Sequence, residues 1–204
     1  MSFEVKIIEF LQSFSTPFLD VLFSMMSYIF DYPIVIAGFL MFWFLKSRHF
    51  AIFYVGVQGV GAVAQKILKA IIQRPRPMVD NSTIRSIFPT EVDGFSLPSG
   101  HSVAAMGFAF FLVLYVFCIS KNNKSKAIVL ITSILFLLLN LLNRLYLGQH
   151  YLTDVFAGYV LMFTLCFVSY FLYKPFVNIS NKMINKIKEK FRKENVKEEE
   201  TNIG

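Results

Sequence analysis

Apolar residues along this chain come in long runs separated by short polar, proline-containing segments. Pro33 to Leu45 with its neighbours, Phe50 to Ile72, Ser102 to Ile119, Ala127 to Leu142 and Val155 to Tyr173 are built largely from Phe, Leu, Ile, Val and Ala. A helix needs roughly 20 mostly apolar residues to cross the hydrocarbon core. The five runs therefore predict five membrane spans. Pro17 to Phe30 is shorter and carries Asp20, which fits either a sixth span or a re-entrant segment. Ahead of it, Phe3, Ile7, Leu11 and Phe14 recur at helical spacing with charges between them, the pattern of an amphipathic helix lying in the interface. It begins with acidic as well as basic residues and lacks a small-residue cleavage site after a long apolar core. It is therefore expected to stay in the mature protein.

The expected architecture is an all-α polytopic membrane helix bundle of five to six transmembrane helices with an N-terminal interfacial helix. Residues 1–16 form that helix and 17–174 the membrane-embedded domain. Residues 175–204 form a basic amphipathic tail that frays at its end, with Met183, Ile184, Ile187 and Phe191 on one face. Composition agrees: 55% hydrophobic residues, 24 Phe among 204 residues and a mean hydropathy of +0.57 exclude an ordinary soluble domain. Cys118 and Cys166 fall inside apolar runs and read as small hydrophobes, with neither a disulfide framework nor a metal motif.

The formal charge of +7 raises the question of nucleic acid, and its distribution answers it. Lys46 and Arg48 lie in one loop, Lys121, Lys124 and Lys126 in another, and eight basic residues between Lys174 and Lys197. If the spans alternate, all three groups share a side, which the positive-inside rule makes cytoplasmic. Basic amphipathic stretches beside a span are lipid-surface anchors, so membrane lipids and not nucleic acid are the expected partners. Lys69, Arg74, Arg76 and Arg144 then fall on the opposite face, against the charge bias. An anionic substrate would explain them.

Three clusters gather at that face. In the first, Lys69 is followed by Gln73-Arg74-Pro75-Arg76-Pro77. Proline disfavours helix in the residue before it, so the helix should end near Gln73, with Lys69 in its last turn and Arg76 in the loop. Snorkelling explains Lys66 and is an equal alternative for Arg74. In the second, Pro98-Ser99-Gly100-His101 opens an apolar run, so its helix N-terminus offers free N–H groups to an anion. Ser99 could cap the helix or bond a phosphate oxygen, and Gly100 permits close backbone approach. His101, charged beside a bound phosphate, could protonate a leaving oxygen. In the third, His150 and Asp154 share a helical face, and Arg144 precedes them. Either the pair caps a helix, or Asp154 fixes the tautomer of an attacking His150 while Arg144 holds two phosphoryl oxygens. Together these residues could cleave a phosphoester without a metal.

The motifs Lys69-x6-Arg76-Pro77, Pro98-Ser99-Gly100-His101 and Arg144-x5-His150-x3-Asp154 resemble the three-part signature of the type 2 phosphatidic acid phosphatase (PAP2) superfamily, over roughly Phe14 to Tyr173. That family includes membrane lipid phosphatases and soluble vanadium haloperoxidases. The resemblance implies a bundle of about six helices and a two-step, cofactor-free phosphatase reaction. In it His150 would attack phosphorus, Asp154 orient it and His101 protonate the leaving group, with Lys69, Arg76, Ser99, Gly100 and Arg144 holding phosphoryl oxygens. The family pattern usually places Ser before the arginine, and here Asn143 stands there. Asn retains hydrogen-bonding capacity, so activity is expected to survive.

The chain's size resembles bacterial carrier-lipid phosphatases of the family. The expectation is therefore a plasma-membrane enzyme of a bacterium acting on undecaprenyl diphosphate at the extracytoplasmic face. Phosphatidylglycerophosphate and phosphatidic acid are the alternatives within that class. Haloperoxidase chemistry on bound vanadate, or non-enzymatic binding or transport of phospholipid, are the alternatives outside it.

Overall fold

In the computed structural model the described residues are 2–45, 47–88 and 94–203, with side chains described to Asn185 apart from that of Tyr32. Lys46, and the side chains of Ile187 and Phe191 on the expected tail face, lie outside the described residues. Every regular element among the described residues is helical: α1 (Phe3–Gln12), α2 (Pro17–Ile29), α3 (Tyr32–Phe44), α4 (Arg48–Ile72), α5 (Pro77–Asp80), α6 (Gly100–Ile119), α7 (Asn123–Tyr146) and α8 (Leu152–Ile203). Lipid leaves a spanning backbone no outside hydrogen-bond partner, which is why the apolar runs are helices.

Four stretches are long and apolar enough to cross a membrane: Arg48–Asp80, Gly100–Ile119, Asn123–Tyr146 and Leu152–Asn185. At 1.5 Å per residue, the 13 residues each of α2 and α3 reach only about 20 Å, short of the roughly 30 Å hydrocarbon core. The two pass as a span only together, bent by 50°. Counting them as one gives five spans, the lower figure expected from hydropathy. The segment from Pro17 is the first half of this bent pair, a broken span or a re-entrant loop, and Asp31 sits at the break.

The chain divides into two compact units, Met1–Phe167 and Val168–Gly204. In the first, α6 packs on α7 and α4, α3 on α4 and α6, and α2 on α7. Phe42, Phe50, Tyr54 and Phe111 meet edge to face inside it, an arrangement aromatic quadrupoles favour. The second continues α8 and exposes Ile179, Met183 and Ile184.

Helix α1 packs through only part of the face its periodicity marks, Ile7 and Leu11, and adds Val5 and Ile8 beside them. Val5 and Ile8 are buried with Ile84, Leu145 and Tyr151, while Phe3 and Phe14 stand exposed beside Phe10. Gln12 locks the helix end, donating to the carbonyls of Arg85 and Tyr146 (2.8 and 3.0 Å) and accepting from the Arg85 N–H. Buried amide groups of this kind fix register because leaving them unpaired is costly. The consequence is that α1 sits over the end of the bundle where α4 and α7 finish and α6 and α8 begin.

Candidate active site

The proline run ends α4 where the sequence predicts, with Gln73 left-handed (φ 52°) after Ile72. Lys69 thus lies in the last turn and Arg76 in the loop, and both line a cavity of about 300 Å³. His101, Gln149, His150 and Lys66 line the same space, with Asp31, Gln65 and Gly100 completing the wall. Arg76 is almost wholly buried, its Nε donating to the Gly94 carbonyl (3.1 Å) and its Nη1 to the Gln149 carbonyl (3.2 Å).

His150 is 2% exposed and holds its Nδ1 3.7 Å from Asp154 Oδ2, within ion-pair reach but beyond a hydrogen bond. Asp154 is fully buried and already engaged: Oδ2 accepts from the Tyr151 N–H (2.8 Å) and Oδ1 from Arg74 Nη1 (2.8 Å). Burial pushes the His150 imidazole well below the ordinary histidine range, and the charges of Arg76, Lys69 and Arg144 push the same way. The ring is therefore neutral at neutral pH, with a nitrogen lone pair available.

Ser99, Arg144 and Asp154 stand behind the cavity wall. Ser99 is buried and caps α6, its Oγ accepting from the Ser102 N–H (3.4 Å), while its own N–H donates to the Asp154 carbonyl (3.0 Å). A Cβ at Gly158 would come within 2.7 Å of the Ser99 carbonyl. Glycine there lets α8 seat directly against the start of α6. Arg144, fully buried, donates to Gln149 Oε1 (3.1 Å), Ser27 Oγ (2.5 Å) and the Asn143 side-chain oxygen. Asn143 in turn donates to the Phe23 carbonyl (2.6 Å). The residue that departs from the family pattern thus braces Arg144 against α2.

Several residues of this site carry little signal in the sequence. Arg74, left there between snorkelling and function, joins Asp154 to Thr153 Oγ1 (2.6 Å) and Glu4 Oε2 (2.9 Å) and stacks over Tyr151 at 3.9 Å. Gln149 bridges two arginines, through its side chain to Arg144 and its carbonyl to Arg76, and nothing in its neighbourhood marks it. Lys66, read as snorkelling, lines the cavity. Asp31 does have a signal: a carboxylate between two apolar stretches, two residues before Pro33, is costly in a membrane and calls for a function.

A second, apolar cleft of about 260 Å³ runs between α3, α4 and α6 along Val35, Val55, Gly59, Ala62, Val103 and Ala104. It shares Asp31, Gln65, Lys66 and Gly100 with the cationic cavity, so the two spaces adjoin. A cationic cavity next to an apolar groove suits a molecule with an anionic head and a hydrocarbon body.

Fold and site together define a polytopic helical membrane protein with an anion-accepting cavity that contains two histidines. The PAP2 superfamily model matches residues 50–177, and the chain belongs to that superfamily. Phosphatidylglycerophosphatase B of Bacillus subtilis is 33% identical over 147 residues, covering 70% of this chain and 65% of that protein. Undecaprenyl-diphosphatase BcrC of the same organism is 28% identical over 184 residues, 84% of this chain and 89% of that one. Among solved structures, the transmembrane PAP2-type phosphatidylglycerolphosphate phosphatase from Bacillus subtilis superposes with a TM-score of 0.65 at 26% identity, covering 86% of this chain and 84% of that one. LpxE of Aquifex aeolicus gives 0.61 at 20% identity over 83% and 95%, a likeness of fold.

Proposed function

We propose that this protein is a lipid phosphate phosphatase of a bacterial plasma membrane, working at the extracytoplasmic face through a phosphohistidine. The observation that carries the reading is the cationic cavity with His101 and His150 in its wall, adjoining an apolar cleft.

In this reading the phosphoryl group sits among Lys69, Arg76 and the start of α6 at Gly100, where fixed positive charge stabilises oxygens as they gain charge. Arg144 acts from behind by setting Gln149 and adding its field. Neutral His150 attacks phosphorus through Nε2, since Nδ1 faces Asp154, and Asp154 stabilises the charge the ring acquires. As the N–P bond forms the P–O bond breaks, and the departing oxygen takes its electron pair and a proton from His101. His101, now neutral, removes a proton from water as that water attacks phosphorus. The N–P bond breaks and its electron pair returns to His150. Ser99 serves as the cap that places Gly100 and His101.

Undecaprenyl diphosphate is the substrate we favour, in keeping with the similarity to BcrC over most of both chains. Phosphatidylglycerophosphate is the second reading, favoured by the higher identity to phosphatidylglycerophosphatase B. The sidedness rests on the loop lysines at the end opposite the cavity. The test is phosphate release by purified protein in detergent with EDTA present, comparing undecaprenyl diphosphate, phosphatidylglycerophosphate and phosphatidic acid. Release that survives in His150→Ala would refute the phosphohistidine route. Tight binding of all three lipids without release would favour a phospholipid binder.

A further inference from the structure

Asp31 occupies the N-cap position of α3, where aspartate ordinarily accepts from the first free N–H groups of the helix. Here it makes no side-chain cap bond. Its carboxylate instead lines both the cationic cavity and the apolar cleft, with Oδ2 3.9 Å from His101 Nε2. Asp31 stands at the 50° break between α2 and α3.

A carboxylate in the wall of an anion site repels the anion, so its position requires another benefit. The charged and titratable groups around His101 are Lys66 and Lys69 from α4, Arg76 from the loop after it, Arg144 from α7 and His150 ahead of α8. The four cations among them, Lys66, Lys69, Arg76 and Arg144, work against a further positive charge on the ring. Asp31, from the α2–α3 break, sets a carboxylate 3.9 Å from the ring.

We propose that Asp31 is a positioning residue for proton donation: its carboxylate keeps a proton on His101 Nε2, the nitrogen that serves the leaving oxygen. Asp31 also stands where cavity and cleft meet, the place a lipid's bridging oxygen would occupy. The inference rests on the phosphatase reading above and deepens it. It makes the contribution of Asp31 depend on the leaving group. An alkoxide cannot depart without a proton, so a lipid alkyl phosphate needs the charged ring. Nitrophenolate departs unassisted, and the lipid phosphate expelled from a diphosphate, a better leaving group than an alkoxide, gains less from the proton.

The experiment uses the full chain in detergent and compares wild type, Asp31→Asn and Asp31→Glu across pH on lysophosphatidic acid and on p-nitrophenyl phosphate. General acid catalysis contributes on the order of 10²–10⁴-fold. Partial loss of the acid in Asp31→Asn is expected to lower kcat on lysophosphatidic acid by about tenfold or more, with KM little changed. The falling alkaline limb should move to lower pH, because the charged ring is then lost earlier. On p-nitrophenyl phosphate the rate should change only a few-fold, and Asp31→Glu should recover part of the lost kcat. An unchanged kcat and pH profile on lysophosphatidic acid overturns the inference, and so does an equal loss on both substrates. If wild type releases no phosphate from these two substrates or from undecaprenyl diphosphate and phosphatidylglycerophosphate, the phosphatase reading itself falls, and this inference with it.

Discussion

Arg74 and Asp154, 80 positions apart in the sequence, are joined by a 2.8 Å ion pair whose carboxylate is completely buried and whose guanidinium is 27% exposed. The other carboxylate oxygen accepts from the Tyr151 N–H and lies 3.7 Å from His150 Nδ1. The orientation of the proposed nucleophile is therefore set through a carboxylate that Arg74 holds from outside the cavity. Replacing Arg74 with Ala leaves a buried charge short of a partner, a cost of about 1–3 kcal/mol that access of water to the site moderates. Phosphoenzyme formation should fall by roughly ten- to a hundredfold. Rapid-quench trapping of the phosphohistidine in Arg74→Ala, with Arg74→Lys as the partial replacement, checks this.

The neutral state of His150 has a pH consequence. Burial and the charges of Arg76, Lys69 and Arg144 lower its pKa, so its unprotonated form persists to more acid solution than for an ordinary histidine. The acid limb of single-turnover phosphoryl transfer should lie well below pH ~6.5. Removing one of those charges, as in Lys69→Met, should move that limb upward. Single-turnover rates at closely spaced pH values measure both.

Asn143 offers a test of how far the family pattern transfers. Its amide spans the buried Arg144 guanidinium and the Phe23 carbonyl. Asn143→Ala strands these groups and should cost about 1–3 kcal/mol of stability together with activity. Serine has one short hydroxyl and cannot reach both partners, so Asn143→Ser should retain more activity than alanine but less stability than wild type. Thermal unfolding in detergent alongside phosphate release separates the two effects.

Gly148 adopts φ +71°, and a Cβ there would come within 2.5 Å of the Arg85 carbonyl. The turn it makes presents Gln149 and His150 to the cavity. Gly148→Ala should lose more than about 1 kcal/mol, since both the backbone region and the space are wrong for a side chain. A lowered melting temperature with an equally lowered kcat is the expected result.

Glu4 of α1 accepts from the Thr153 N–H and Oγ1 (both 2.8 Å) and from Arg74, capping the start of α8 from another helix. Burial raises its pKa, but the hydrogen bonds from Thr153 and the charge of Arg74 outweigh this and the net shift is downward. A carboxyl lowered in the folded state contributes stability above its unfolded pKa and loses it as pH falls through the folded value. Glu4→Gln should therefore melt lower than wild type at pH 7, by a helix-cap increment of about 1 kcal/mol. The difference should vanish in acid, and melting curves from neutral to acid pH follow it.

The sequence by itself determined the helical membrane class, the end of α4, the extent of α6, and the gathering of Lys69, Arg76, His101, Arg144 and His150 at one end of the bundle, while α7 runs on through Arg144 to Tyr146. Hydropathy, proline and glycine act within a few residues, and once spans alternate, each loop's side follows by counting. Tertiary structure alone decided that α2 and α3 form a pair bent by 50°, that α1 buries Val5 and Ile8, that Arg74 pairs with Asp154 while Gln149 joins two arginines, and that Asp31 faces His101. It also decided that Ser99, Arg144 and Asp154 are buried behind the cavity wall. Those outcomes depend on contacts between residues 70 to 149 positions apart. Such contacts form only where packed helices bring particular rotamers within about 3 Å, a geometry that no local pattern along the chain encodes.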